Sequence, residues 1–290
     1  MKKYSESELV LNGEGKVYHM NLAPEDIADT CLLVGDQNRV DLIAEQFDSI
    51  RFKVQNREFY TITGSYKGKE FSAISTGIGT DNVDIVINEL DALVNIDLQN
   101  RLDKADHHSL TFVRIGTCGA LQEDIRPGSH VVSSYALGFD GVAHFYNLPY
   151  SEEEQRAMET FRKEIQWPDS LNKPYFKAAD KELFSVLAAD NYPGITLTAN
   201  GFYGPQGRAL RLPLVMPDLK EQLRKFEWNG SKVVNFEMES SCLFALSSAL
   251  GHCASTVCLS LANRYTGEFL TDYKTPMRAL VKEVLDRLSV

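Results

Sequence analysis

The chain has 290 residues, of which 43% are hydrophobic and 24% charged, so its composition is that of a folded globular protein. The formal net charge of -10 argues against nucleic acid or a membrane surface as partner, because both attract basic proteins. No apolar run reaches membrane-spanning length, and the five cysteines include no CxxC pair. These features predict a cytoplasmic protein without a disulfide framework or a zinc site.

Hydrophobic periodicity predicts strands and helices that alternate along the chain. The predicted strands are residues 30–34, 58–66, 70–75, 110–115, 129–137, 195–199, 232–236 and 253–261. The predicted helices are residues 37–47, 81–94, 151–163, 180–189, 239–250 and 275–288, and the polar stretch 95–109 is predicted to be a surface excursion. This alternation indicates a three-layer α/β/α fold whose central layer is a mixed β-sheet, in a single domain spanning residues 1–290.

Two glycine-containing segments each follow an apolar strand and carry an arginine. The first, GDQNR at 35–39, precedes a helix, so Gly35 and the helix N-terminus could receive an anion with help from Arg39. The second, RIGTCG at 114–119, begins with Arg114 at the end of a buried strand and places Thr117 beside it. A buried guanidinium needs an anionic partner, which could be a bound ion or an acid of the same protein.

Three further segments have side chains suited to a small ligand. The run STGIGT at 75–80 lacks the third glycine of a dinucleotide-binding loop, which favours close backbone approach or tight packing instead. In NFEMESS at 235–241, a carboxylate at a strand-to-helix junction could accept hydroxyl groups of a sugar or simply cap the helix. In GFYGPQGR at 201–208, an aromatic ring, an amide and a guanidinium could bind a flat heterocycle, or the loop could be a plain surface loop.

Taken together, RIGTCGA at 114–120, FYGPQGR at 202–208 and NFEMESS at 235–241 resemble the uridine phosphorylases, a branch of the nucleoside phosphorylase family. The similarity extends over most of the chain, from residue 17 to residue 264. It implies the mixed-sheet α/β fold of that family and the conversion of uridine and phosphate to uracil and ribose 1-phosphate. It implies no metal and no cofactor beyond inorganic phosphate as co-substrate.

The resemblance also implies roles for individual residues. Phosphate would be held by Gly35, Arg39, Arg114 and Thr117, with Arg57 lent by a neighbouring subunit of a homo-oligomer. Ribose would contact Met238, Glu239 and the neighbour's His19, and the base would lie against Phe202, Gln206, Arg208 and Arg264. The catalytic residues would be Arg114, Arg208 and Glu239, which position the substrates and stabilise the charges that develop as the glycosidic bond breaks.

Three other functions remain open from the sequence. Purine nucleoside phosphorylases share this scaffold but protonate the purine N7 with an aspartate, and Asn263 occupies the corresponding region here. An amide cannot act as that acid, so a pyrimidine nucleoside is favoured. A hydrolase or a non-catalytic nucleoside-binding protein would not need three arginines for phosphate.

Overall fold

The computed structural model describes residues 2–289. Within them the strands are β1 Thr30–Val34, β2 Ser49–Asn56, β3 Phe59–Tyr66, β4 Lys69–Ser75, β5 Ile96–Asp97, β6 Leu102–Asp103, β7 Thr111–Ala120, β8 His130–Gly138, β9 Tyr175–Ala178, β10 Tyr192–Thr198, β11 Glu227–Trp228, β12 Ser231–Glu237 and β13 Cys253–Asn263. The α-helices are α1 Gln37–Ala44, α2 Thr80–Asn95, α3 Glu152–Glu164, α4 Lys181–Ala188, α5 Leu219–Lys225, α6 Ser240–Ala249 and α7 Lys274–Leu288, with 3₁₀-helices at Pro24–Asp26, Val142–Phe145 and Gly204–Gln206.

One mixed sheet organises the protein. Its strand order is β11-β12-β10-β8-β13-β7-β1-β4-β3-β2, and β9 pairs with β8 outside this path. Strands β4, β1, β7 and β13 are parallel to one another, so their carboxyl ends meet at one edge, where α/β proteins bind ligands. The end of β12 also pairs antiparallel with the end of β7, which brings a second strand-to-helix junction to the same place.

Apolar side chains from both faces of the sheet pack against helices. Along β1, Leu32 joins a buried cluster with α1, α4 and α7, whereas its neighbour Leu33 joins a cluster with α2 and α6. Adjacent strand residues point to opposite faces, so these clusters are the two cores of a three-layer α/β/α structure. A third cluster packs α3 and α5 against β8, β10 and β12. The predicted fold class is confirmed, and the single domain spanning residues 1–290 stays a prediction.

The structure corrects the prediction for residues 114–119. These residues are not a loop after a strand but the second half of β7, which runs to Ala120. The strand continues because β13 pairs with it along its whole length, and Gly119 also pairs with Phe236 of β12. Strand pairing on both sides therefore overrides the turn preference of the glycines.

Several elements escaped the sequence analysis. The excursion at 95–109 contains the small β5–β6 hairpin, which is tied to the N-terminal segment by a bridge between Lys3 and Leu102. The edge strand β2 and the short helix α5 were also missed. Both are short or largely polar on their outer face, so periodicity alone separates them poorly from loops. No helix among residues 2–289 has the length and apolar character needed to span a bilayer.

Candidate active site

Arg114 lies in the middle of β7 with its guanidinium almost fully buried. The guanidinium folds back over Gly116, where a Cβ atom would overlap Nη1 and would also lie 2.7 Å from the Cys258 sulfur. Glycine is therefore the residue that lets an arginine side chain lie flat along this strand at the carboxyl edge of the sheet.

Two carboxylates at the end of β12 meet Arg114. Its Nη2 donates a short hydrogen bond to Glu239 Oε2, and its Nη1 lies 3.6 Å from Glu237 Oε2. Burial alone would lower the pKa of Arg114, but the charges of Glu239 and Glu237 outweigh it and hold the pKa above its ordinary value. The predicted alternative of an arginine paired with acids of its own chain is thus also realised.

The two carboxylates have different surroundings. Glu237 accepts hydrogen bonds from the Glu239 amide at 3.0 Å, from the Ser240 amide and hydroxyl, and from the Thr198 hydroxyl. Glu237 is thereby the buried cap of α6. Glu239 is held by fewer groups: Oε1 accepts from the Gly79 amide at 2.8 Å, and Oε2 accepts from Arg114 and from the Met238 amide at 3.2 Å. Glu239 is therefore fixed in direction at the cavity wall.

The glycine loop before α2 contributes to the site through its backbone. Gly79 has a φ of +100°, a conformation that L side chains rarely adopt, and its amide reaches Glu239 across the sheet edge. Close packing and carboxylate binding, rather than a dinucleotide, thus account for this loop. Ile78 beside it is largely exposed and lines the cavity.

Arg39 is the second buried arginine, on the first turn of α1. Its Nη1 donates to the Ile115 carbonyl at 3.0 Å, and no carboxylate of residues 2–289 lies within ion-pair distance of it. Burial, followed by repulsion from Arg114, lowers the pKa of Arg39.

Gly35 leaves room for the Arg39 guanidinium, since a Cβ at Gly35 would lie 3.3 Å from Arg39 Nη2. The Asp36 side chain accepts the Asn38 amide, so the helix N-terminus is partly capped and the guanidinium is the main cationic group.

These groups line a cavity of about 240 Å³ at the carboxyl edge of the sheet. Its walls are Gly35, Arg39, Ile78, Arg114, Thr117, Cys118, Gly119, Phe202, Gln206, Arg208, Phe236, Glu237, Met238, Glu239, Leu261, Ala262 and Phe269. The structure therefore brings together every predicted site residue except His19, Arg57 and Arg264. The Arg114 guanidinium lies beside Gly116 and contacts Glu239, whereas Arg208 lies beside Gly119 farther along β7, so the buried arginine pair and the 201–208 loop stand at different ends of the cavity.

The loop at the far end presents an amide and a guanidinium. Gln206 is buried at the end of the 3₁₀-helix, and Arg208 Nη1 donates to its Oε1 and to the Phe202 carbonyl at 2.6 Å. The Arg208 guanidinium lies 3.9 Å from the centre of the half-exposed Phe202 ring. Burial, and then Arg264, lower the pKa of Arg208 to about 10. Arg208 also lines a larger, mostly apolar cavity of about 660 Å³ beneath residues 210–216.

Arg264 stands behind the cavity wall. Its stem packs on Gly119, where a Cβ would lie 3.1 Å from the Arg264 Cγ atom, and its Nη2 donates to the Gln206 carbonyl at 3.1 Å. Its Nη1 is buried without a hydrogen-bond partner in the described part of the chain. Arg264 thus supports the loop that carries Gln206, and its Nη1 group remains available to donate a further hydrogen bond.

His19 and Arg57 lie together on a surface outside this cavity. His19 Nδ1 and backbone amide contact Glu89 Oε1 at 2.6 and 3.0 Å, and the imidazole is partly exposed. Arg57 has a positive φ of 55° and places its guanidinium over the exposed Tyr18 ring. The two residues are therefore neighbours, but neither of them contributes to the cavity of its own chain.

Sequence reasoning missed several residues of the site. Ile78, Gly119, Phe236, Leu261, Ala262 and Phe269 all line the cavity. Most are apolar residues of strands or loops, and nothing in their local pattern separates a cavity wall from core packing. Asn263 is also placed differently from the sequence interpretation, because it does not line the cavity and its amide is bonded to backbone groups.

Comparison with known proteins gives the family. The profile of the Phosphorylase superfamily matches residues 29–288. The chain belongs to this superfamily. It is 32% identical over 272 residues, covering 93% of this chain and 85% of the relative, to the uridine phosphorylase of Thermococcus kodakarensis. It is 26% identical to the guanosine phosphorylase of Halorubrum lacusprofundi, over 86% of this chain and 84% of that one.

The fold of this superfamily member is also found among solved structures. The Trypanosoma brucei nucleoside phosphorylase, described as showing uridine phosphorylase activity, superposes with a TM-score of 0.86 at 28% identity, over 97% of this chain and 99% of the other. The resemblance inferred from the three motifs is therefore confirmed at the level of sequence and of fold.

Proposed function

We propose that this protein catalyses the phosphorolysis of uridine to uracil and ribose 1-phosphate. One observation carries the proposal: one small cavity is lined by the buried Arg39 and Arg114, by the Glu239 carboxylate and by the amide–guanidinium pair of Gln206 and Arg208, groups suited to phosphate, ribose and base. The similarity to uridine phosphorylases over nearly the whole chain supports the same reaction.

At the phosphate end, Arg39 is the group that most needs an anion. It is buried, it lacks a carboxylate partner, and it is repelled by Arg114. A phosphate bound between Arg39, Arg114 and Thr117 would supply the missing negative charge. From there its oxygen would attack the anomeric carbon of the ribose as the bond to the base breaks.

In the middle, Glu239 would accept hydroxyl hydrogen bonds from the ribose. Because the Gly79 amide and Arg114 hold its two oxygens, the carboxylate keeps its direction before the substrate arrives. Met238 would pack against the sugar. As positive charge develops on the ribose, Glu239 and the phosphate both lie close enough to stabilise it, without a covalent intermediate on the enzyme.

At the base end, Gln206 can both accept from and donate to the imide edge of uracil, and Arg208 can stabilise the negative charge of the departing base. A purine substrate would instead gain from an acid near N7. Among the residues that line the cavity, the carboxylates are Glu237 and Glu239, and both are engaged with Arg114. The cavity therefore favours a pyrimidine.

A substrate panel tests this function. Uridine, inosine, thymidine and 2′-deoxyuridine are each incubated with and without phosphate, and free base is measured. We expect uracil from uridine only when phosphate is present. Faster turnover of inosine would move the function to purine nucleosides, phosphate-independent release would indicate a hydrolase, and binding without turnover would indicate a sensor.

We also propose that the active unit is a homo-oligomer in which His19 and Arg57 complete the site of a neighbouring subunit. The support is that they lie side by side on an exposed surface, outside the cavity of their own chain. There Arg57 would add a third cation for phosphate, and His19 would present Nε2 to the 5′-hydroxyl of the ribose.

Hybrid oligomers test the shared site. Arg39→Ala and Arg57→Ala would each inactivate the homo-oligomer, because every site loses one phosphate ligand. A hybrid dimer of the two variants would contain one site with both defects and one intact site, so about half of the activity of the hybrid should return. Hybrids as inactive as the parent variants would show that both arginines serve the same chain.

We infer further that inorganic phosphate is the only additional molecule the reaction requires. No metal and no cofactor has a role in the steps above. The prediction of a cytoplasmic protein is supported by cysteines that are free in the structure.

A further inference from the structure

Asn263 is the last residue of β13 and is almost completely buried. It precedes Arg264 in the chain but does not reach the cavity. A buried side-chain amide with two donors and an acceptor is costly unless each is satisfied. The partners of Asn263 therefore indicate what the amide is for.

The donor side of the amide holds the loop that follows β7. Asn263 Nδ2 donates to the Gln122 carbonyl and to the Ile125 carbonyl, both at 2.9 Å. This loop continues directly from the strand that carries Arg114 and Gly119. The end of β13 is thereby tied to the segment that continues from the cavity wall.

The acceptor side shapes the turn that follows β13. Asn263 Oδ1 accepts the backbone amides of Tyr265 at 2.8 Å and Thr266 at 2.9 Å. The backbone of Asn263 closes the same turn, through bonds to Glu268 and Gly267 at 3.0 and 2.9 Å. The turn leads to Phe269, which lines the cavity beside Ala262 and forms a bridge with it.

Arg264 is the first residue of the turn that Asn263 holds. Its amide donates to the Ala120 carbonyl at 2.7 Å, its stem crosses Gly119, and its guanidinium supports the Gln206 carbonyl. The direction in which Arg264 leaves the strand therefore determines one of the contacts that hold Gln206 in place. Both walls of the base end, the 201–208 loop and Phe269, depend on the turn that Asn263 holds.

We propose that Asn263 is a positioning residue for the base end of the active site, and that its amide acts by joining the turn that leads to Phe269, which Oδ1 holds, to the loop after β7, which Nδ2 holds. It acts on Arg264 and Phe269 without contacting the substrate. The inference rests on the proposed function, because it assigns the base to the Gln206 end of the cavity. An aspartate at this position would then weaken binding of the base rather than supply an acid to it, because its oxygens would face two carbonyl oxygens.

Asn263→Asp tests the proposal most directly, because it keeps the Oδ1 acceptor and replaces the Nδ2 donors with a carboxyl oxygen that faces the Gln122 and Ile125 carbonyls. We expect the KM for uridine to rise about tenfold, comparable to the loss of roughly one net hydrogen bond. The KM for phosphate should stay within about twofold, since Arg39 lies on α1 and Arg114 is held inside β7 by strand pairing and by Glu239, not by the loop that follows the strand. A general loosening of the structure would raise the KM for both substrates and lower kcat together. A rise in the KM for uridine alone therefore separates a positioning role from a general loss of structure.

Asn191→Asp is the matched control. Asn191 Nδ2 also donates to a backbone carbonyl, that of Leu187 at 2.8 Å, and to a Glu283 oxygen, but it lies between α4 and α7. The same chemical change there should alter the melting temperature and leave the KM for uridine unchanged. If Asn263→Asp does not fold, Asn263→Ser is measured instead, because its hydroxyl keeps one donor and one acceptor.

The outcomes separate this proposal from the proposed function. If the wild type releases no uracil from uridine and phosphate, the proposed function fails, and this inference fails with it. If the wild type is active and folded Asn263→Asp binds uridine as well as the wild type does, the positioning role alone is overturned. Equal losses for uridine and phosphate would likewise overturn it, and gain of inosine turnover would show that residue 263 reaches the base directly.

Discussion

Replacing Gly116 with alanine tests how the phosphate end is built. A Cβ at this position would overlap the Arg114 guanidinium and would press on the Cys258 sulfur at 2.7 Å. The side chain of Arg114 cannot keep its place along β7, so its contact with Glu239 and its proposed contact with phosphate are both lost. Because those contacts are proposed to act on the reacting groups, the variant should lose much more activity than an ordinary core substitution of similar cost in stability.

The expected magnitudes follow from two effects. Overpacking a buried strand position costs about 1–3 kcal/mol of unfolding free energy, which a phosphorylase of ordinary stability survives. Displacing one cationic donor from the reacting phosphate costs about 10²–10³ in kcat/KM. The variant should therefore stay folded while most of its activity is lost.

The assay is uracil release at varied phosphate, with the melting temperature measured on the same samples. Gly13→Ala is the matched control, because a Cβ there has no atom within 4 Å and the backbone needs no unusual φ. The control should match the wild type in both readings. A Gly116→Ala protein with near-normal kcat/KM and phosphate KM would refute the assignment of Arg114 to phosphate.

The remaining predictions concern other parts of the same site. Arg208→Ala should leave the fold and the phosphate affinity intact but abolish most uridine turnover, and near-normal phosphorolysis would remove Arg208 from the mechanism. Glu237→Gln should lower the unfolding free energy by about 1–3 kcal/mol, because one end of a carboxylate that caps α6 becomes a donor facing donors. Burial raises the pKa of the Cys118 and Cys242 thiols, so a thiol reagent at neutral pH should modify at most the partly exposed Cys253 in the native protein and all five cysteines after denaturation. More than one fast-reacting thiol in the native state would contradict this burial.

Local patterns in the sequence predicted the frame of the site well. Gly35 and Arg39 follow β1, and Glu239 follows β12, as periodicity and glycine placement indicated. The carboxyl ends of parallel strands share one edge, so the meeting of these residues could be expected from the order of the elements alone. The resemblance of the motifs added the order of phosphate, ribose and base along the cavity.

Contacts between distant segments could not be predicted in this way. The hydrogen bond from the Gly79 amide to Glu239 joins residues 160 positions apart. It shows that the glycine loop before α2 supports the Glu239 carboxylate, which its local sequence did not indicate. The continuation of β7 through Gly116 and Gly119 depends on pairing with β13 and β12. The backbone bonding of Asn263 likewise arises only when β7 and β13 lie side by side.

The most direct test of the central claim is the dependence of uracil release on phosphate. The wild-type protein is incubated with uridine in a phosphate-free buffer, and inorganic phosphate is then added. We expect no release before the addition, and afterwards uracil and ribose 1-phosphate in equal amounts. Release of uracil together with free ribose before phosphate is added would contradict it, as would the absence of release afterwards.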